Sequence, residues 1–502
     1  MSWTQNNVAS FLQFWPESLL GLSSMVCLLG SAFAKNKKIF WQFLCALTLL
    51  VYGAHSAISL VACSSSAKVL FLGHLRVDGL SYLLQVIFAL ISLVTLHLST
   101  THRPSSEHSY TDELPAFLLV LTLGMAMMVS SNSLLMLFLS VEMVSIPSYI
   151  LVGMKRSDVG SGEAGLKYLL FGAFASGLML FGISFLFGAV GSVDFSYVAG
   201  FLQNTVFDVQ TKIFLGVSMI FLIAGLGYKM AIFPSHMWCP DVYQAAPTPI
   251  TTFLSVGPKV AGFALLIRIL SLYVSPVPTP WTLSVQALLS VLAAVTMTIG
   301  NVGALAQIKM KRLIAYSSIA HAGYILMGLS ALNLDGLQAA VFYFVVYFFM
   351  NAGVFYITVW MENHYGSDEI HHFKALAEHS PILMAVMAIF LFSLVGLPPF
   401  AGFLGKFYLF AAVVREKLYI LAIIGAINTA ISLYYYAKIL KIAYFSQTPL
   451  NQEDQSETLS VGKPNLSMAV MTFLLAFPVT FLILKWKPLL TVVELATKSI
   501  LF

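Results

Sequence analysis

Charged side chains are scarce in this chain. Asp, Glu, Lys and Arg make up 9% of the 502 residues, whereas 59% are hydrophobic. Soluble domains average about 25% charged residues, so this composition excludes a soluble enzyme or a soluble binding domain. The formal net charge of +5 is expected to act as a topology signal in the loops and not as a nucleic-acid-binding surface. The chain is therefore predicted to be an all-α polytopic membrane protein.

Motifs that bind cofactors are also missing. The four cysteines are scattered and show no C-x-x-C spacing, which argues against a disulfide framework or an iron–sulfur site. No glycine-rich dinucleotide fingerprint and no P-loop occurs, so no cofactor and no metal is predicted in this chain. The first basic residue is Lys35, after the first apolar stretch. A cleavable signal peptide has its positive charges before that stretch, so the first helix is expected to be retained.

Long apolar windows are abundant. A bilayer core of about 30 Å requires about 20 apolar residues per helix, and the windows between polar segments predict about 14 transmembrane helices. They run near 15–34, 39–62, 77–98, 114–130, 132–153, 165–188, 211–233, 250–274, 281–301, 313–331, 337–361, 381–410, 418–445 and 466–484. If the N-terminus lies outside, 14 of the 26 basic residues fall on the inside and 8 on the outside. That excess predicts that both termini lie on the outer side of the membrane.

The four remaining basic residues lie within predicted spans, together with one deep acid. They are Lys229, Lys259, Lys406 and Arg268, and the acid is Glu142. Each such charge costs at least about 2.5–3.5 kcal/mol in a membrane, so a functional role is expected. Arg268 is close to the outer end of its helix and is predicted to be an interface anchor.

Two of the predicted helices contain helix-breaking residues beside a lysine. The stretch GLGYKMAIFPSHMWCPDVY places Lys229 before Pro234, and LVGLPPFAGFLGKFYLF places Lys406 after Pro398 and Pro399. The helix that contains Lys229 begins 97 residues after the predicted helix that starts near 114. The helix that contains Lys406 begins 100 residues after the one that starts near 281. Two five-helix repeats of inverted topology, with the seventh and twelfth helices broken, are thus predicted. Freed backbone groups require a hydrated interior, so each break indicates an internal water-filled path.

The repeats divide the chain into five predicted segments. These are an N-terminal three-helix segment at 1–113, the first repeat at 114–275, the second repeat at 276–446, a polar loop at 447–465 and a C-terminal helix at 466–502.

The intramembrane charges suggest proton transfer. Glu142 and Lys229 each favour the charged form of the other, whereas burial favours the neutral form of both. A buried lysine readily exchanges its proton and an arginine does not, so Lys229, Lys259 and Lys406 are candidate carriers with Glu142 as an electrostatic trigger. The alternatives are a structural salt bridge for Glu142 and lysines that extend to the membrane interface.

Three further residues are weaker candidates. His321, in LIAYSSIAHAGYILMG, either carries protons between the lysines or is a neutral histidine satisfied by hydroxyls. Lys167 either forms a surface pair with Glu163, four residues earlier, or tunes the Glu142 site. His236, in FPSHMW, either lines a proton path or is structural.

Several motifs resemble those of one family. FPSHMWCPDVYQAAPTPITTFLSVGPKVAGF, QIKMKRLIAYSSIAHAGYILMG, LVGLPPFAGFLGKFYLF and ISLYYYAKILKIAYF are similar to the antiporter-like subunits of respiratory complex I, and within these to the subunit N (chain 2) group. The resemblance covers about residues 16–484. It implies fourteen helices with the seventh and twelfth broken, and it assigns the family's site residues to Glu142, Lys167, Lys229, Lys259 and Lys406. The lysine at 406, where subunit M relatives usually have glutamate, and the lack of a long lateral helix after helix fourteen both favour the subunit N group.

The resemblance also implies a function. It predicts a proton-translocating, non-redox subunit of NADH:quinone oxidoreductase, beside neighbouring antiporter-like and small membrane-arm subunits. FMN, iron–sulfur clusters and NADH would then belong to partner subunits, and no nucleic acid would bind. The alternatives are a subunit of a multi-subunit Na⁺/H⁺ antiporter or membrane-bound hydrogenase, a stand-alone solute transporter, and a membrane scaffold.

Overall fold

The chain forms a bundle of helices with one short β-hairpin. The computed structural model describes residues 3–33, 37–62, 67–102, 112–155, 158–204, 207–273, 280–445, 466–498 and 500. Its first eleven helices are α1 (Trp3–Gln13), α2 (Trp15–Phe33), α3 (Lys38–Ala62), α4 (Gly79–Thr101), α5 (Leu114–Ser130), α6 (Leu134–Val152), α7 (Val159–Val190), α8 (Phe195–Asn204), α9 (Val209–Met230), α10 (Trp238–Ala245) and α11 (Thr248–Tyr273). The next nine are α12 (Pro280–Leu305), α13 (Met310–Leu329), α14 (Leu334–Tyr365), α15 (Phe373–His379), α16 (Pro381–Val395), α17 (Ala401–Arg415), α18 (Tyr419–Phe445), α19 (Leu466–Phe481) and α20 (Lys487–Thr497). Strands β1 (Lys68–Leu70) and β2 (Leu75–Val77) pair antiparallel before α4.

The predicted membrane-spanning architecture is confirmed. Within the described residues, ten helices are long and apolar enough to cross a membrane, and three shorter apolar helices accompany them. A helix occupies each of the fourteen predicted positions. The predicted polar loop at 447–465 lies outside the described residues. Five short helices were not predicted as separate elements, because none is long enough to form a span: α1, α8, α10, α15 and α20.

Two helices form the centre of the bundle. Every residue in the most apolar stretch of α11 is buried, as are 89% of those in the corresponding stretch of α14. A helix that is apolar on all sides belongs in the interior of a bundle. In the most apolar stretch of α7, in contrast, only 28% of the residues are buried, and large apolar side chains such as Phe174 and Phe181 are exposed. The outer face of α7 is thus suited to lipid or to a neighbouring subunit.

Both predicted helix breaks are present. Helix α9 ends at Met230, Ala231 adopts a left-handed conformation with φ of 56°, and α10 begins only at Trp238. Similarly, α16 ends at Val395, Gly396 has φ of 88°, and α17 begins at Ala401. Glycine readily adopts a positive φ, which makes Gly396 a natural helix terminator. These breaks leave helix-end carbonyls inside the bundle, where side chains satisfy them.

The prediction that Arg268 is an interface anchor is wrong. Its guanidinium is buried and forms two bonds to the Asp78 carboxylate, of 2.6 and 2.7 Å, and its Nε donates to the Val129 carbonyl at 3.0 Å. Asp78 also accepts a hydrogen bond from the Ser81 backbone N–H at the start of α4. Burial alone would raise the pKa of Asp78, but the Arg268 charge and these hydrogen bonds outweigh it and lower the pKa. The sequence pattern missed this pair because its partners are 190 residues apart.

Close packing at the second break gives a stability prediction. A Cβ on Gly402 would lie 1.8 Å from the backbone oxygen of Ser393, whereas a Cβ on Gly177, in α7, would meet nothing within 4 Å. Gly402→Ala is therefore expected to lower the free energy of unfolding by about 1–3 kcal/mol through overpacking. Thermal unfolding of the detergent-solubilised protein measures this. Gly177→Ala is the matched control, and equal unfolding temperatures for the two variants would contradict the prediction.

Candidate functional site: a buried row of charged residues

The carboxylate of Glu142 lies between two helices. Glu142 is half-buried on α6, and the Ser176 hydroxyl of α7 donates a hydrogen bond to its Oε1. Its charge acts electrostatically on Lys229, yet the two side chains form no ion pair within 4 Å among the described contacts. The described contacts therefore do not include the direct salt bridge that was the structural alternative for Glu142. An unpaired arrangement leaves each charge free to respond to its surroundings.

Lys229 is enclosed within the protein at the end of α9. Only 2% of its surface is exposed, and its Nζ forms no hydrogen bond with any described residue. The ammonium instead lies 5.8 Å from the ring centroids of both Tyr149 and Tyr228. A cation near aromatic faces is only partly compensated. Lys229 therefore does not extend to the membrane interface.

Glycines bring the neighbouring helices close to Lys229. A Cβ on Gly225 of α9 would lie 2.8 Å from the Ala175 backbone oxygen of α7, and a Cβ on Gly262 of α11 would lie 3.2 Å from the Lys229 Cβ. The absence of side chains at these two positions lets the helices approach closely. Lys259 is three residues before Gly262 on α11, so this contact places the two lysines on adjoining turns of packed helices.

Lys259 is hydrogen-bonded to the second half of the chain. Its Nζ donates to the Ser318 hydroxyl of α13 at 2.6 Å, lies 3.8 Å from the Cys239 sulfur of α10, and is 5.3 Å from the centroid of Tyr243. Only 3% of Lys259 is exposed. It lies near the middle of the 26-residue helix α11, and thus deep within the bundle.

His321 connects this contact to the far lysine. One turn after Ser318, its Nδ1 is 2.7 Å from the Tyr343 hydroxyl and its Nε2 is 3.4 Å from the Tyr436 hydroxyl. The charges of Lys406 and Lys259 both act on its ring. Tyrosine hydroxyls lie within hydrogen-bonding distance of both ring nitrogens of His321, as expected for the alternative of a neutral structural histidine. They are also groups through which protons can pass, since a hydroxyl both donates and accepts.

Lys406 lies at the second helix break. Its Nζ donates to the carbonyl of Val395, the last residue of α16, at 2.9 Å. The ammonium is 4.4 Å from the centroid of Tyr324, whose ring centroid is 6.1 Å from that of His321. Lys406 is buried, so it does not extend to the interface. Glu142, Lys229, Lys259, His321 and Lys406 are together called the buried row below.

Lys167 lies outside the buried row. Its Nζ forms the predicted pair with Glu163 at 2.8 Å, but it also bonds Asp241 of α10 at 3.2 Å, and Asp241 in turn binds Arg312 at 2.7 Å. No described contact joins Lys167 to Glu142. Its side chain is 42% exposed, so solvent screens these ion pairs and they contribute little to stability.

His236 occupies the first helix break. It is buried, and its ring centroid lies 6.0 Å from that of Phe233. No described hydrogen bond connects it to the buried row.

The sequence did not identify the aromatic residues that connect the buried row. Tyrosines contact each of its three lysines and its histidine, and they are Tyr149, Tyr228, Tyr243, Tyr324, Tyr343, Tyr347 and Tyr436. The only sequence signal was tyrosine within otherwise apolar spans, as in VFYFVVYFF and LYYYA. Apolar spans commonly contain tyrosine for packing alone, and that signal is therefore weak.

The described residues offer no obvious place for a metal. Within the ranges that the structure describes, no group of three or more His, Cys, Asp or Glu side chains is arranged to hold an ion. The buried row instead presents ammonium, imidazole and carboxylate groups, and neighbouring hydroxyls bond the Lys259 ammonium and the His321 ring. Groups of these kinds take up and release protons in proteins.

Known proteins resemble this chain over nearly its full length. A sequence profile described as "NADH:quinone oxidoreductase/Mrp antiporter, TM" matches residues 131–432. NADH-quinone oxidoreductase subunit N 2 of Sorangium cellulosum (strain So ce56) is 40% identical over 503 residues, covering 97% of each chain.

Solved structures share the fold. A chain of respiratory complex I from Thermus thermophilus superposes with a TM-score of 0.73 at 26% identity, covering 93% of this chain and 98% of that one. A chain of the Mrp complex from Dietzia sp. DQ12-45-1b reaches a TM-score of 0.82 at 20% identity, covering 96% and 97%. At that identity the second likeness concerns the fold alone. The profile match and the extended 40% identity place the chain in the subunit N family of NADH-quinone oxidoreductase, as an antiporter-like membrane-arm subunit of complex I.

Proposed function

We propose that the chain translocates protons along the buried row while other subunits carry electrons from NADH to quinone. The observation that supports this most directly is the burial of three lysines in the two halves of the bundle, each beside tyrosine rings or hydroxyls. Three buried amines are expensive in a membrane, and a scaffold or a passive structural role does not require them.

The first part of the path runs through Lys229. A proton taken up from the cytoplasmic face is held there as an ammonium, stabilised by the Glu142 charge. A charge change in the neighbouring subunit weakens the attraction between the Glu142 carboxylate and the Lys229 ammonium. The ammonium is then destabilised and releases its proton towards Lys259. Glu142 thus acts as the electrostatic trigger. Lys167, bonded to Asp241, adjusts the field at the edge of this half.

The second part of the path crosses between the two repeats. Lys259 donates to Ser318, from which His321 and the surrounding tyrosine hydroxyls lead to Lys406. Lys406 is the terminal carrier and releases its proton to the periplasmic face. His236, in the first break, lines the path of water to Lys229. Each transfer conserves charge, since one amine becomes neutral as the next becomes an ammonium.

The partners follow from the same proposal. The chain would assemble with neighbouring antiporter-like and small subunits in a bacterial inner membrane, with both termini on the periplasmic side. FMN and iron–sulfur clusters would reside in partner subunits, and this chain would catalyse no redox step. The alternative role in a Na⁺/H⁺ antiporter or hydrogenase has less support, because the likeness to the Mrp complex is one of fold.

Glu142→Ala and Lys229→Ala test this proposal in the assembled complex. Each is expected to reduce NADH-driven proton pumping, and Lys229→Ala is expected to reduce it at least about 100-fold, the lower end of the range for loss of a proton-transferring group. Pumping is measured by quenching of a pH-sensitive dye in inside-out membrane vesicles, and assembly by native gel electrophoresis. Lys212→Ala is the control, because Lys212 is an exposed lysine on the same helix as Lys229. Normal pumping by Glu142→Ala or Lys229→Ala would remove that residue from the path.

A further inference from the structure

A second buried ionic cluster lies at the end of the bundle where α11 begins. Glu362, near the end of α14, accepts a 3.0 Å contact from His102 Nε2, a 3.2 Å contact from Lys311 Nζ and a 2.5 Å hydrogen bond from the Thr248 hydroxyl. Lys311 also donates to the Ala246 carbonyl at 3.3 Å. The Glu362 side chain retains 13% exposure, so the cluster is largely enclosed by the protein yet reaches its surface at this end of the bundle. The buried row does not include any of these residues.

A stripe of polar residues rises from this cluster to Lys259. On α11 the residues Thr248, Thr252, Ser255 and Lys259 follow spacings of four, three and four, so they share one face of the helix. The Thr252 hydroxyl donates to the Thr248 carbonyl at 2.8 Å and the Ser255 hydroxyl donates to the Thr252 carbonyl at 2.7 Å. From α14, the Asn351 side-chain amide donates to the Ser255 hydroxyl at 2.5 Å.

Packing does not account for this stripe. All four residues are buried, in a helix whose interior position favours apolar side chains. Hydroxyls that bond to the carbonyl of a preceding turn slightly destabilise a helix. Their useful property is different: each hydroxyl donates one proton and accepts others. Successive members are about one helical turn, or about 5 Å, apart, a separation that one water molecule bridges.

We propose that Glu362 takes up protons at this face and that the hydroxyls of Thr248, Thr252 and Ser255 conduct them to Lys259. The inference rests on the proposed relay and adds a second loading step to each pumping cycle. After Lys259 has passed on the proton from Lys229, it is reloaded from this face, so a block of either step stops the cycle. A proton bound by the Glu362 carboxylate passes to the first hydroxyl as that hydroxyl releases its own proton onward. The last transfer converts the neutral Lys259 amine to an ammonium.

The remaining members of the cluster have defined roles. After the transfer Glu362 is again a carboxylate, and the Lys311 ammonium 3.2 Å away compensates its charge. His102 holds the second carboxylate oxygen and orients it. Lys311 and His102 are thus positioning residues, and Glu362 is the group that binds the transferred proton.

The double variant Thr252→Val with Ser255→Ala tests the route without disturbing the ion cluster. In vesicles containing the complete complex, the proton-pumping rate is expected to fall about tenfold, equivalent to a barrier about 1.4 kcal/mol higher. Thr472→Val is the matched control, because Thr472 is buried and its hydroxyl donates to its own helix at 2.8 Å, as that of Thr252 does. Thr252→Ser with Ser255→Thr retains both hydroxyls and is expected to restore pumping.

Two reference variants separate the possible failures. Lys259→Ala is expected to lose pumping by itself, and Glu362→Gln is expected to match the double variant. If Lys259→Ala has lost pumping while the Thr252/Ser255 double variant pumps at the wild-type rate, the uptake route is overturned and the relay stands. If Lys259→Ala pumps normally, the relay through Lys259 is overturned and the route falls with it. Native gels report assembly, and the double variant decides the question if Glu362→Gln does not assemble.

Discussion

Lys406→Met and Lys406→Arg are both expected to abolish proton pumping by the assembled complex. Methionine removes the terminal carrier, and arginine keeps the positive charge but does not release its proton. If Lys406 acted only through its charge, by bonding the Val395 carbonyl and the Tyr324 ring, arginine would retain activity. Loss of a proton-transferring group typically costs about 10²–10⁴-fold, which places both variants near the background rate.

The measurement compares pumping with NADH oxidation in inside-out vesicles. Lys441→Met is the control, since Lys441 is an exposed lysine on α18. Thermal unfolding of the detergent-solubilised variants checks that the larger side chain introduced by Lys406→Arg does not distort the second break. Substantial pumping by the arginine variant would show that Lys406 supplies charge and not a proton, and the exit would have to be sought elsewhere.

Asp78→Asn is expected to cause the largest loss of stability. It leaves the buried Arg268 guanidinium, which bonds Asp78 at 2.6 and 2.7 Å, without its counter-charge. Breaking a buried pair in this way costs about 3–5 kcal/mol. Asp335→Asn is the control, because Asp335 pairs with Arg415 at the surface, where such pairs contribute about 0–1 kcal/mol. Chemical unfolding of the detergent-solubilised chain gives both values.

A double replacement sharpens this prediction. Asp78→Asn combined with Arg268→Met removes both charges and is expected to recover much of the lost stability, since an apolar pair is often as stable as a buried ion pair. A double variant as unstable as Asp78→Asn alone would mean that the surrounding hydrogen bonds, such as that to the Val129 carbonyl, matter more than the charge.

The contribution of the Asp78–Arg268 pair to the free energy of unfolding is expected to decrease at acid pH. The pKa of Asp78 is lowered in the folded state, so its contribution to stability is complete above the unfolded pKa of about 4. That contribution is lost as the pH falls from about 4 towards the folded pKa. The difference in unfolding free energy between wild type and Asp78→Asn is therefore expected to be constant near pH 7 and to shrink below about pH 4.

Sequence reasoning placed the spans well because apolar length is a local property. Each of the fourteen predicted windows contains a helix, and the breaks at Ala231 and Gly396 occur beside the residues that predicted them. The inverted relation of the two repeats remains a prediction. Burial of Lys229, Lys259 and Lys406 followed from the same local argument, since a lysine far from a span's end is enclosed by neighbouring helices unless it reaches the interface.

The same local reasoning failed where two distant segments meet. Arg268 was assigned to the interface because its position along α11 said nothing about Asp78 before α4. Likewise Glu142 seemed to be the one deep acid, although Glu17 and Glu362 also have little exposed surface. Glu17 accepts a hydrogen bond from Gln85, and no pattern near position 17 indicates that partner.

Local patterns in the chain thus predict that it crosses a membrane many times, where its helices break, and which charges lie within them, because each depends on residues close together in the chain. Which side chains meet depends on the packing of the folded chain. Ser318 with Lys259, Tyr324 with Lys406 and Thr248 with Glu362 come from different helices, and helix packing, not sequence spacing, sets those distances.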